Sequence, residues 1–207
     1  MSDASLVILA RAPELGRVKT RLAATIGAAS TLRVYHHLLA RVADVARGWP
    51  GAVTLMTTGA DAAWDGSALA HLPRTPQPDG GLGRRIADAL RLGLSQAPCA
   101  VVIGTDCPGL TAAHLERLAA TATPAAFGPA DDGGYWGLAL TDPAVIAPCT
   151  GDDLPWSTPA LLDATRDRLA VAGLACATTE VLRDCDDADD LAAAIAAGFL
   201  PPLDAHR

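Results

Sequence analysis

The sequence predicts an α/β fold in which a mixed, mostly parallel sheet lies between two layers of helices. A run of four apolar residues from Ala100 to Ile103 is typical of a strand that is buried on both faces in a parallel sheet. A similar run extends from Leu6 to Ala10. Short strands of this kind alternate along the chain with segments of helical periodicity, which favours helices on both faces of the sheet.

Apolar spacing predicts the remaining elements in chain order. Ser30 is the expected N-cap of a helix that extends to Ala46. Further strands are expected at 53–58, 125–129 and 176–182. Further helices are expected at about 84–95, at about 111–122 and from residue 159 to about 172. A final helix is expected to begin within the segment 183–191 and to end at about residue 199.

Length and composition indicate a single domain spanning residues 1–207. Half of the residues are hydrophobic and 19% are charged, so the chain can bury a sizeable core. The net charge of −7 argues against a nucleic-acid partner, which requires a basic surface. No apolar segment approaches the length of a membrane span, and the first apolar run is too short for a signal peptide.

The cysteines are typical of a reducing compartment. They are five in number and include no CxxC pair, which argues against a disulfide framework and against a zinc site of the usual spacing. We therefore expect a soluble, cytoplasmic protein.

A cationic loop follows the first predicted strand. Arg11, Arg17, Lys19 and Arg21 fall within eleven residues of an otherwise acidic chain. Ligands of open α/β sheets bind at the carboxyl ends of the strands, where this loop begins. We therefore favour phosphate binding over a solvated charge cluster, since arginine and lysine both suit phosphate oxygens. The spacing is not that of a Walker loop.

A second loop, over residues 73–85, is rich in proline and glycine. Its glycines would allow a ligand to approach the backbone, and Arg84 and Arg85 would open a helix whose N-terminus favours anions. A plain surface loop is the alternative.

Carboxylates follow two of the predicted strands. Asp106 comes after the buried strand at 100–103, where it would either hold a divalent cation or cap the next helix. Asp184 and Asp186 follow the last predicted strand, where a second metal-binding carboxylate would be needed. Helix capping explains the neighbouring Asp189 and Asp190.

Residues 131–136 combine two aspartates, two glycines and an aromatic pair. The glycines permit a tight hairpin turn. Alternatively, the segment forms a substrate wall, because Tyr135 and Trp136 offer an apolar face with a polar group to a sugar or a base.

Several motifs occur together in a fixed order. They are Arg11-Ala12-Pro13-Glu14-Leu15-Gly16-Arg17-Val18-Lys19-Thr20-Arg21-Leu22, Gln77 with Gly80-Gly81-Leu82-Gly83-Arg84-Arg85, Gly104-Thr105-Asp106-Cys107-Pro108, Gly128-Pro129-Ala130-Asp131-Asp132-Gly133-Gly134-Tyr135, Trp156-Ser157 and Asp184-Cys185-Asp186. In this order the chain resembles small bacterial GT-A-type transferases, which are often labelled glycosyltransferases and are linked in some contexts to arsenosugar biosynthesis. It is more distantly similar to 2-phospholactate and phosphoenolpyruvate guanylyltransferases and to molybdenum-cofactor nucleotidyltransferases.

The resemblance implies a nucleotide-diphospho-sugar transferase (GT-A, Rossmann-like) fold. It also implies that Lys19 and Arg21 contact nucleotide phosphates. Together with the residue arguments above, it gives the following site: Lys19, Asp106 and Asp132 as catalytic residues; Arg11, Gly16, Lys19, Arg21, Gln77, Gly83 and Arg84 for the nucleotide; Asp131, Asp132, Gly133, Gly134, Tyr135 and Trp156 for the substrate; and Asp106, Asp184 and Asp186 for Mg²⁺ or Mn²⁺.

The chain departs from the family pattern in places. Arg11 replaces the usual lysine, and Cys185 replaces an aliphatic residue. Asp187 and Ala188 replace a common Thr-Pro pair, which leaves open which of Asp184, Asp186 and Asp187 faces the metal.

The expected function is metal-dependent transfer from a nucleotide-diphospho-sugar to a small-molecule acceptor. The first alternative is a nucleotidyltransferase that uses a nucleoside triphosphate and releases pyrophosphate, as guanylyltransferases do. A non-catalytic nucleotide-binding module is the second alternative.

Overall fold

The computed structural model describes residues 4–203, and within this range seven strands form a single sheet. Their bounds are β1 (Ala4–Arg11), β2 (Val53–Thr58), β3 (Arg74–Pro76), β4 (Cys99–Ile103), β5 (Ala125–Pro129), β6 (Tyr135–Leu140) and β7 (Cys176–Thr178). The order across the sheet is β3-β2-β1-β4-β6-β5-β7. Only β6 runs antiparallel to its neighbours, and every other pairing within the described range is parallel.

Helices connect most of the strands. In the described range they are α1 (Thr20–Ile26), α2 (Ala28–Arg47), α3 (Leu82–Gln96), α4 (Ala112–Thr121), α5 (Ile146–Thr150), α6 (Leu161–Val171) and α7 (Ala188–Ala196), with short 3₁₀ turns at Asp61–Trp64 and Pro143–Val145. None of the described helices is long and apolar enough to cross a membrane.

The two faces of the sheet carry separate apolar cores, because successive side chains of a strand point to opposite sides. On β1, Leu6 and Ile8 join the cluster that contains Leu38 of α2. Val7 lies on the other face, in the cluster that contains Leu90 of α3. This arrangement confirms the predicted three-layer fold with a mixed, mostly parallel sheet.

The central strand β4 is the most uniformly buried element of the sheet. All five of its residues are buried, and each large aliphatic side chain removed from water in this way stabilises the fold by about 1.5–3 kcal/mol. The continuous apolar run in the sequence therefore reflects burial on both faces, as predicted.

The first helices differ from the prediction. The last three residues of the cationic loop, 20–22, are helical, since α1 begins at Thr20. Gly27 is the N-cap of α2, so the prediction that Ser30 caps this helix is wrong. Gly27 has a φ of +80°, a value that glycine adopts readily, and it links the two consecutive helices.

The strands at the far side of the sheet also differ. Residues 135–140, for which the sequence predicted no strand, form β6, which pairs with both β4 and β5. The segment before β6 is the turn of the β5–β6 hairpin. The strand expected at 176–182 ends at Thr178, and only a single bridge between Ala130 and Leu182 continues the pairing.

At Gly83, α3 approaches the end of α5 and the segment that follows it. A Cβ at this position would lie 2.5 Å from the carbonyl oxygen of Thr150 and 2.8 Å from Trp156 Cζ2. Contacts this short require backbone or ring movement. The Trp156 ring can therefore pack on α3 only because Gly83 has no side chain.

We expect Gly83→Ala to lower the free energy of unfolding by about 1–3 kcal/mol through overpacking. Gly81→Ala is the matched control, because nothing lies within 4 Å of a Cβ there and its φ is −70°. Urea denaturation of both variants checks the expectation. Equal stability of the two variants would contradict it.

Candidate active site

A cleft of about 750 Å³ opens at the carboxyl ends of β1 and β4. The segments that follow these strands form its centre, and the hairpin turn before β6 and the segment before α6 form one side. The predicted site residues that line it are Arg11, Lys19, Arg21, Gln77, Asp106, Asp132, Gly134, Tyr135, Trp156, Asp184 and Asp186. This position is where open α/β sheets bind ligands.

The centre of the cleft is a cluster of four charged side chains, Lys19, Arg21, Asp106 and Asp186. Lys19 Nζ lies 2.5 Å from Asp106 Oδ1 and 2.9 Å from Asp186 Oδ1. Arg21 pairs with the second oxygen of Asp186. The Lys19 side chain is only 6% exposed, whereas Asp106 is 47% exposed. A buried ammonium is tolerated here because two carboxylates compensate for its lost hydration.

The cluster keeps Lys19 charged. Burial alone would lower the pKa of Lys19, but the charges of Asp106 and Asp186 and their hydrogen bonds outweigh it and raise the pKa above its ordinary value. The cleft therefore contains a fixed positive charge throughout the neutral pH range.

The backbone of Lys19 is in the left-handed region, with φ 46° and ψ 52°. Ser157, with φ 62°, is the other non-glycine residue with positive φ between residues 4 and 203. Both line the same cleft. Such conformations cost roughly 1–3 kcal/mol and cluster at functional sites, so this strain favours a functional interpretation of the cleft.

Asp106 does not cap the helix that follows it. Thr111 is the N-cap of α4 and forms a capping box with His114. The backbone oxygen of Asp106 accepts a hydrogen bond from the Cys185 N–H at 2.9 Å. This bond holds the segment at 184–186 against the end of β4, which brings Asp186 to Lys19.

Asp184 lies beside the cluster in a more enclosed position. Its Oδ1 accepts a hydrogen bond from Cys107 Sγ at 2.7 Å. Burial raises the pKa of Asp184 from 3.8 to about 7; the nearby charge of Asp106 adds to this shift, while the Cys107 hydrogen bond opposes it.

The carboxylates of Asp106 and Asp186 are spaced to share one cation. Asp106 and Asp186 each place one oxygen on the same ammonium, so their spacing suits a shared cation. Among residues 4–203, no group of three His, Cys, Asp or Glu side chains is arranged to hold a metal. Two carboxylates completed by substrate phosphates are nevertheless a usual magnesium site. The carboxylates of Asp106 and Asp186 therefore fit a metal whose remaining ligands include substrate phosphate oxygens. Lys19 would have to move away from the carboxylates for such a metal to bind.

Asp187 has another role. Its side chain accepts hydrogen bonds from the Asp189 and Asp190 N–H groups and caps α7. Asp190 completes the capping box, as the sequence indicated. Of the three aspartates that the sequence left open, Asp184 and Asp186 line the cleft.

Gln77 lines the cleft and bridges β1 and β2. Its Nε2 donates to the carbonyl oxygens of Ala10 and Met56, at 3.0 and 2.8 Å. Arg85 lies next to it, with Nη1 3.5 Å from Gln77 Oε1. Arg85 lines the cleft, whereas the predicted Arg84 does not.

The hairpin turn places one of its two aspartates at the cleft. Asp132 lines the cleft and accepts a hydrogen bond from the Gly134 N–H at 2.8 Å. Asp131 faces Arg183, at 3.7 Å. Gly133 packs against Pro159, where a Cβ would lie 2.1 Å from the carbonyl oxygen. The segment is thus both a hairpin turn and part of a wall, so the two sequence interpretations are compatible.

Some of the predicted site residues do not line the cleft. Gly16, Gly83, Arg84, Asp131 and Gly133 are not among the lining residues. The list of predicted site residues omitted the lining residues Tyr35 and Ser157, and it omitted Arg85, which the sequence had indicated together with Arg84 only as the start of an anion-favouring helix.

Tyr35 supports the end of β1. Its hydroxyl donates to the Arg11 carbonyl oxygen at 2.8 Å and accepts from the Arg11 N–H at 3.2 Å. Burial raises the pKa of Tyr35 to about 12, which keeps the hydroxyl a donor. No local sequence pattern distinguishes this tyrosine from an ordinary core residue of α2.

One sequence feature does identify Lys19. It is the only lysine among 16 basic residues. An ammonium is a compact point charge that fits between two carboxylates, whereas a guanidinium presents a flat fork. The choice of lysine at this one position therefore matches the geometry of the cluster.

The chain belongs to the family described as "Uncharacterized protein conserved in bacteria (DUF2064)", whose model matches residues 39–158. No protein of curated function matches the chain significantly.

Solved structures share the fold. A protein from Desulfovibrio desulfuricans G20 that is assigned as a nucleotide-diphospho-sugar transferase superposes with a TM-score of 0.80 at 22% identity, covering 92% of this chain and 85% of the other. Glucosyl-3-phosphoglycerate synthase from Mycobacterium tuberculosis, in complex with Mn²⁺, UDP and glucosyl-3-phosphoglycerate, gives 0.53 at 12% identity, covering 94% and 76%. CMP:2-keto-3-deoxy-manno-octonic acid synthetase complexed with CTP gives 0.57 at 13% identity, covering 95% and 100%. At these identities the likeness establishes the fold, which is the predicted nucleotide-diphospho-sugar transferase fold.

The raised pKa of Asp184 predicts a pH-dependent stability. The folded state binds an extra proton between about pH 4 and 7, so the stability that Asp184 contributes is present at low pH and is lost as the pH rises through about 7. We expect Asp184→Asn, which retains an acceptor for Cys107, to raise the free energy of unfolding by about 2 kcal/mol at pH 8 and to change it little at pH 4.

Urea denaturation in EDTA at pH 4, 6 and 8 measures this difference. Asp152→Asn is the matched control, since Asp152 is exposed. A variant that is less stable than the wild type at pH 8, or a difference that does not vary with pH, would show that folding does not raise the pKa of Asp184.

Proposed function

We propose that this chain is a metal-dependent glycosyltransferase that uses a nucleotide-diphospho-sugar donor and a small-molecule acceptor. The observation that carries the proposal is the ammonium of Lys19, buried between Asp106 and Asp186 at the carboxyl edge of the sheet. A cation and two carboxylates in one cleft provide what a metal-bound diphosphate requires.

The phosphates would bind beside Lys19. Arg11 and Arg21 line the same part of the cleft, and their guanidinium groups suit phosphate oxygens. When a diphosphate enters, Lys19 can exchange its two carboxylates for phosphate oxygens without losing its charge compensation. Arg21 keeps its pairing with Asp186 available to orient that carboxylate.

Asp106 and Asp186 would hold Mg²⁺ or Mn²⁺ once Lys19 has turned to the phosphates. The bound ion would neutralise the negative charge that develops on the departing diphosphate. Asp184, enclosed next to this pair, would add a third carboxylate oxygen nearby. Its hydrogen bond from Cys107 fixes the orientation of the side chain.

The acceptor would bind on the side of the cleft formed by Asp132, Gly134, Tyr135 and Trp156. In the transfer, the bond between the anomeric carbon and the phosphate oxygen breaks, and a bond from that carbon to an acceptor oxygen forms. The exposed carboxylate of Asp132 would take the proton of the acceptor hydroxyl. The nucleoside diphosphate leaves with the bonding electron pair.

Nucleotidyl transfer is the second candidate, because a CTP-bound synthetase shares the fold. In that reaction the bond between two phosphates breaks and pyrophosphate leaves. The same cationic residues and carboxylates would serve both reactions. Detection of pyrophosphate, rather than a nucleoside diphosphate, upon turnover would establish this candidate.

A cytoplasmic location accompanies the proposal. Cys99, Cys107, Cys149, Cys176 and Cys185 are all free thiols, which suits a reducing compartment.

Ligand binding tests the proposal directly. In a thermal-shift panel of nucleotide sugars and nucleoside triphosphates with and without Mn²⁺, we expect at least one nucleotide to stabilise the protein in the presence of the metal. A ligand at a hundredfold excess over its dissociation constant adds about 2.7 kcal/mol. Absence of any shift with any nucleotide and metal would overturn the transferase proposal.

Lys19→Met tests the competition between the ammonium and the metal. We expect this variant to bind Mn²⁺ at least about tenfold more tightly than the wild type in the absence of nucleotide, because two close carboxylates lose their compensating charge. Nucleotide affinity should fall at least about tenfold, since a phosphate ligand is lost. Electron paramagnetic resonance of free Mn²⁺ measures the first effect and calorimetry measures the second.

Arg47→Met, which removes an exposed cation paired with Asp44, is the control for the change in net charge. The Lys19→Met variant must first show a cooperative melting transition. Unchanged or weaker Mn²⁺ binding in a folded Lys19→Met protein would show that Lys19 does not occupy the position of the cation.

A further inference from the structure

The loop after β4, which contains Asp106, is held by contacts to two other segments of the chain. The backbone oxygen of Asp106 accepts the N–H of Cys185 at 2.9 Å. Two residues further on, the backbone oxygen of the buried Pro108 accepts a hydrogen bond from Arg41 Nε at 3.0 Å. Neither Arg41 nor Pro108 lines the cleft, so this second contact lies outside the position of the ligand.

Arg41 belongs to α2 and also contacts an aromatic ring. Its Cζ lies over the ring of Phe199, 5.7 Å from the centroid, which is within the range of a cation–π interaction. A guanidinium can donate a hydrogen bond in its plane while it lies over an aromatic ring, whereas an ammonium has no flat face. The two contacts of Arg41 therefore use properties that are specific to arginine.

Phe199 contacts the same loop. It follows α7, and its N–H is bonded to the carbonyl oxygen of Ala194 at 2.9 Å. Its ring packs against Gly109, where a Cβ would lie 3.1 Å from Phe199 Cε2. Arg41 and Phe199 thus contact neighbouring residues of the loop, Pro108 and Gly109, as well as each other.

The loop is consequently joined to both ends of α7. Cys185, which precedes α7, is bonded to Asp106, and Phe199, which follows α7, packs on Gly109. Asp106 and Asp186 lie on these two segments, and their oxygens are 2.5 and 2.9 Å from the same ammonium. Metal sites tolerate deviations of only about 0.2 Å in ligand distance. A shift of the loop relative to α7 would therefore separate the two carboxylates as ligands of one ion.

We propose that Arg41 and Phe199 are positioning residues, which hold the loop after β4 against α7 so that Asp106 and Asp186 can share one metal ion. The inference rests on the proposed function, because that function supplies the metal. Neither positioning residue lines the cleft, so both act on the ligand through the loop. An arginine that only stabilised the surface of α2 would leave the metal affinity of the site unchanged.

Amide hydrogen exchange tests the positioning without any ligand. In Arg41→Met the Pro108 oxygen loses its donor. We expect the Cys185 N–H to exchange at least about fivefold faster than in the wild type, because opening of the loop then breaks one contact fewer. Arg47→Met, which removes an exposed arginine of the same helix, should retain the wild-type rate. Two-dimensional NMR measures both rates. Unchanged exchange of Cys185 in folded Arg41→Met would overturn the positioning role.

Metal binding tests the consequence for the site. The probes are Mn²⁺ together with UDP, GDP, CDP or ADP. With a nucleotide that binds the wild type, we expect Arg41→Met to weaken Mn²⁺ binding at least about fivefold in electron paramagnetic resonance. Binding of the same nucleotide in EDTA should not change, because Arg11, Lys19 and Arg21 follow β1 rather than β4. Equal loss of both affinities would show general damage to the cleft and overturn the specific role of Arg41.

A double-mutant cycle tests whether the two residues act together. Phe199→Leu retains an apolar side chain and removes the ring beneath the guanidinium. In the Phe199→Leu background, Arg41→Met should weaken Mn²⁺ binding by a smaller factor than it does in the wild-type background, because residues that act through one contact are not additive. Additive effects would overturn the joint action of the pair.

The two measurements separate failure of this inference from failure of the proposed function. Faster exchange of Cys185 with unchanged Mn²⁺ affinity would overturn the role of the pair at the metal site and leave nucleotide binding intact. Binding of none of the four nucleotides to the wild type with Mn²⁺ would overturn the proposed function and, with it, the role of the pair in metal binding. The exchange rate of Cys185 would still decide whether Arg41 holds the loop.

Discussion

The contact of the Lys19 ammonium with Asp106 and Asp186 is the interaction on which the candidate site depends. It joins three segments that are far apart in sequence: the loop after β1, the end of β4 and the loop before α7. A buried charge is costly unless it is paired and hydrogen-bonded. The ion pairs of Lys19 with Asp106 and Asp186 therefore hold the three segments together. The left-handed backbone of Lys19 and the Cys185–Asp106 hydrogen bond are the local features that this arrangement requires.

In the proposed function, the same contact would give the site two states. In the structure, the ammonium satisfies both carboxylates. When a metal and a diphosphate bind, the metal would replace Lys19 as the partner of the carboxylates, and the phosphates would become the partners of Lys19. In that exchange every charged group would keep an opposite charge nearby. It would also disfavour metal binding without nucleotide, which suits a transferase whose metal belongs to the donor.

The sheet order divides the cleft into three positions. Gln77 and Arg85 lie towards β2, the charged cluster lies at β1 and β4, and Asp132 and Tyr135 lie at the start of β6. The antiparallel strand β6 is important here, since its direction brings the hairpin turn to the carboxyl edge of the parallel strands. A fully parallel sheet would place the start of this strand at the opposite edge.

The sequence by itself determined the layers and the central strands, because a buried parallel strand requires a continuous apolar run. It also indicated much of the candidate site, because a ligand site of this fold requires polar residues just after such strands. Lys19 and Asp106 were identified from such positions. Only the tertiary structure decided between alternatives that have the same local pattern. The choice of Arg85 over Arg84 depends on the phase of α3, which begins at Leu82. The capping role of Asp187 and the cleft position of Asp186 depend on packing against the end of β4. Lys19 and Asp186 are 167 residues apart, and a local pattern contains no information about a contact that forms only when the sheet assembles.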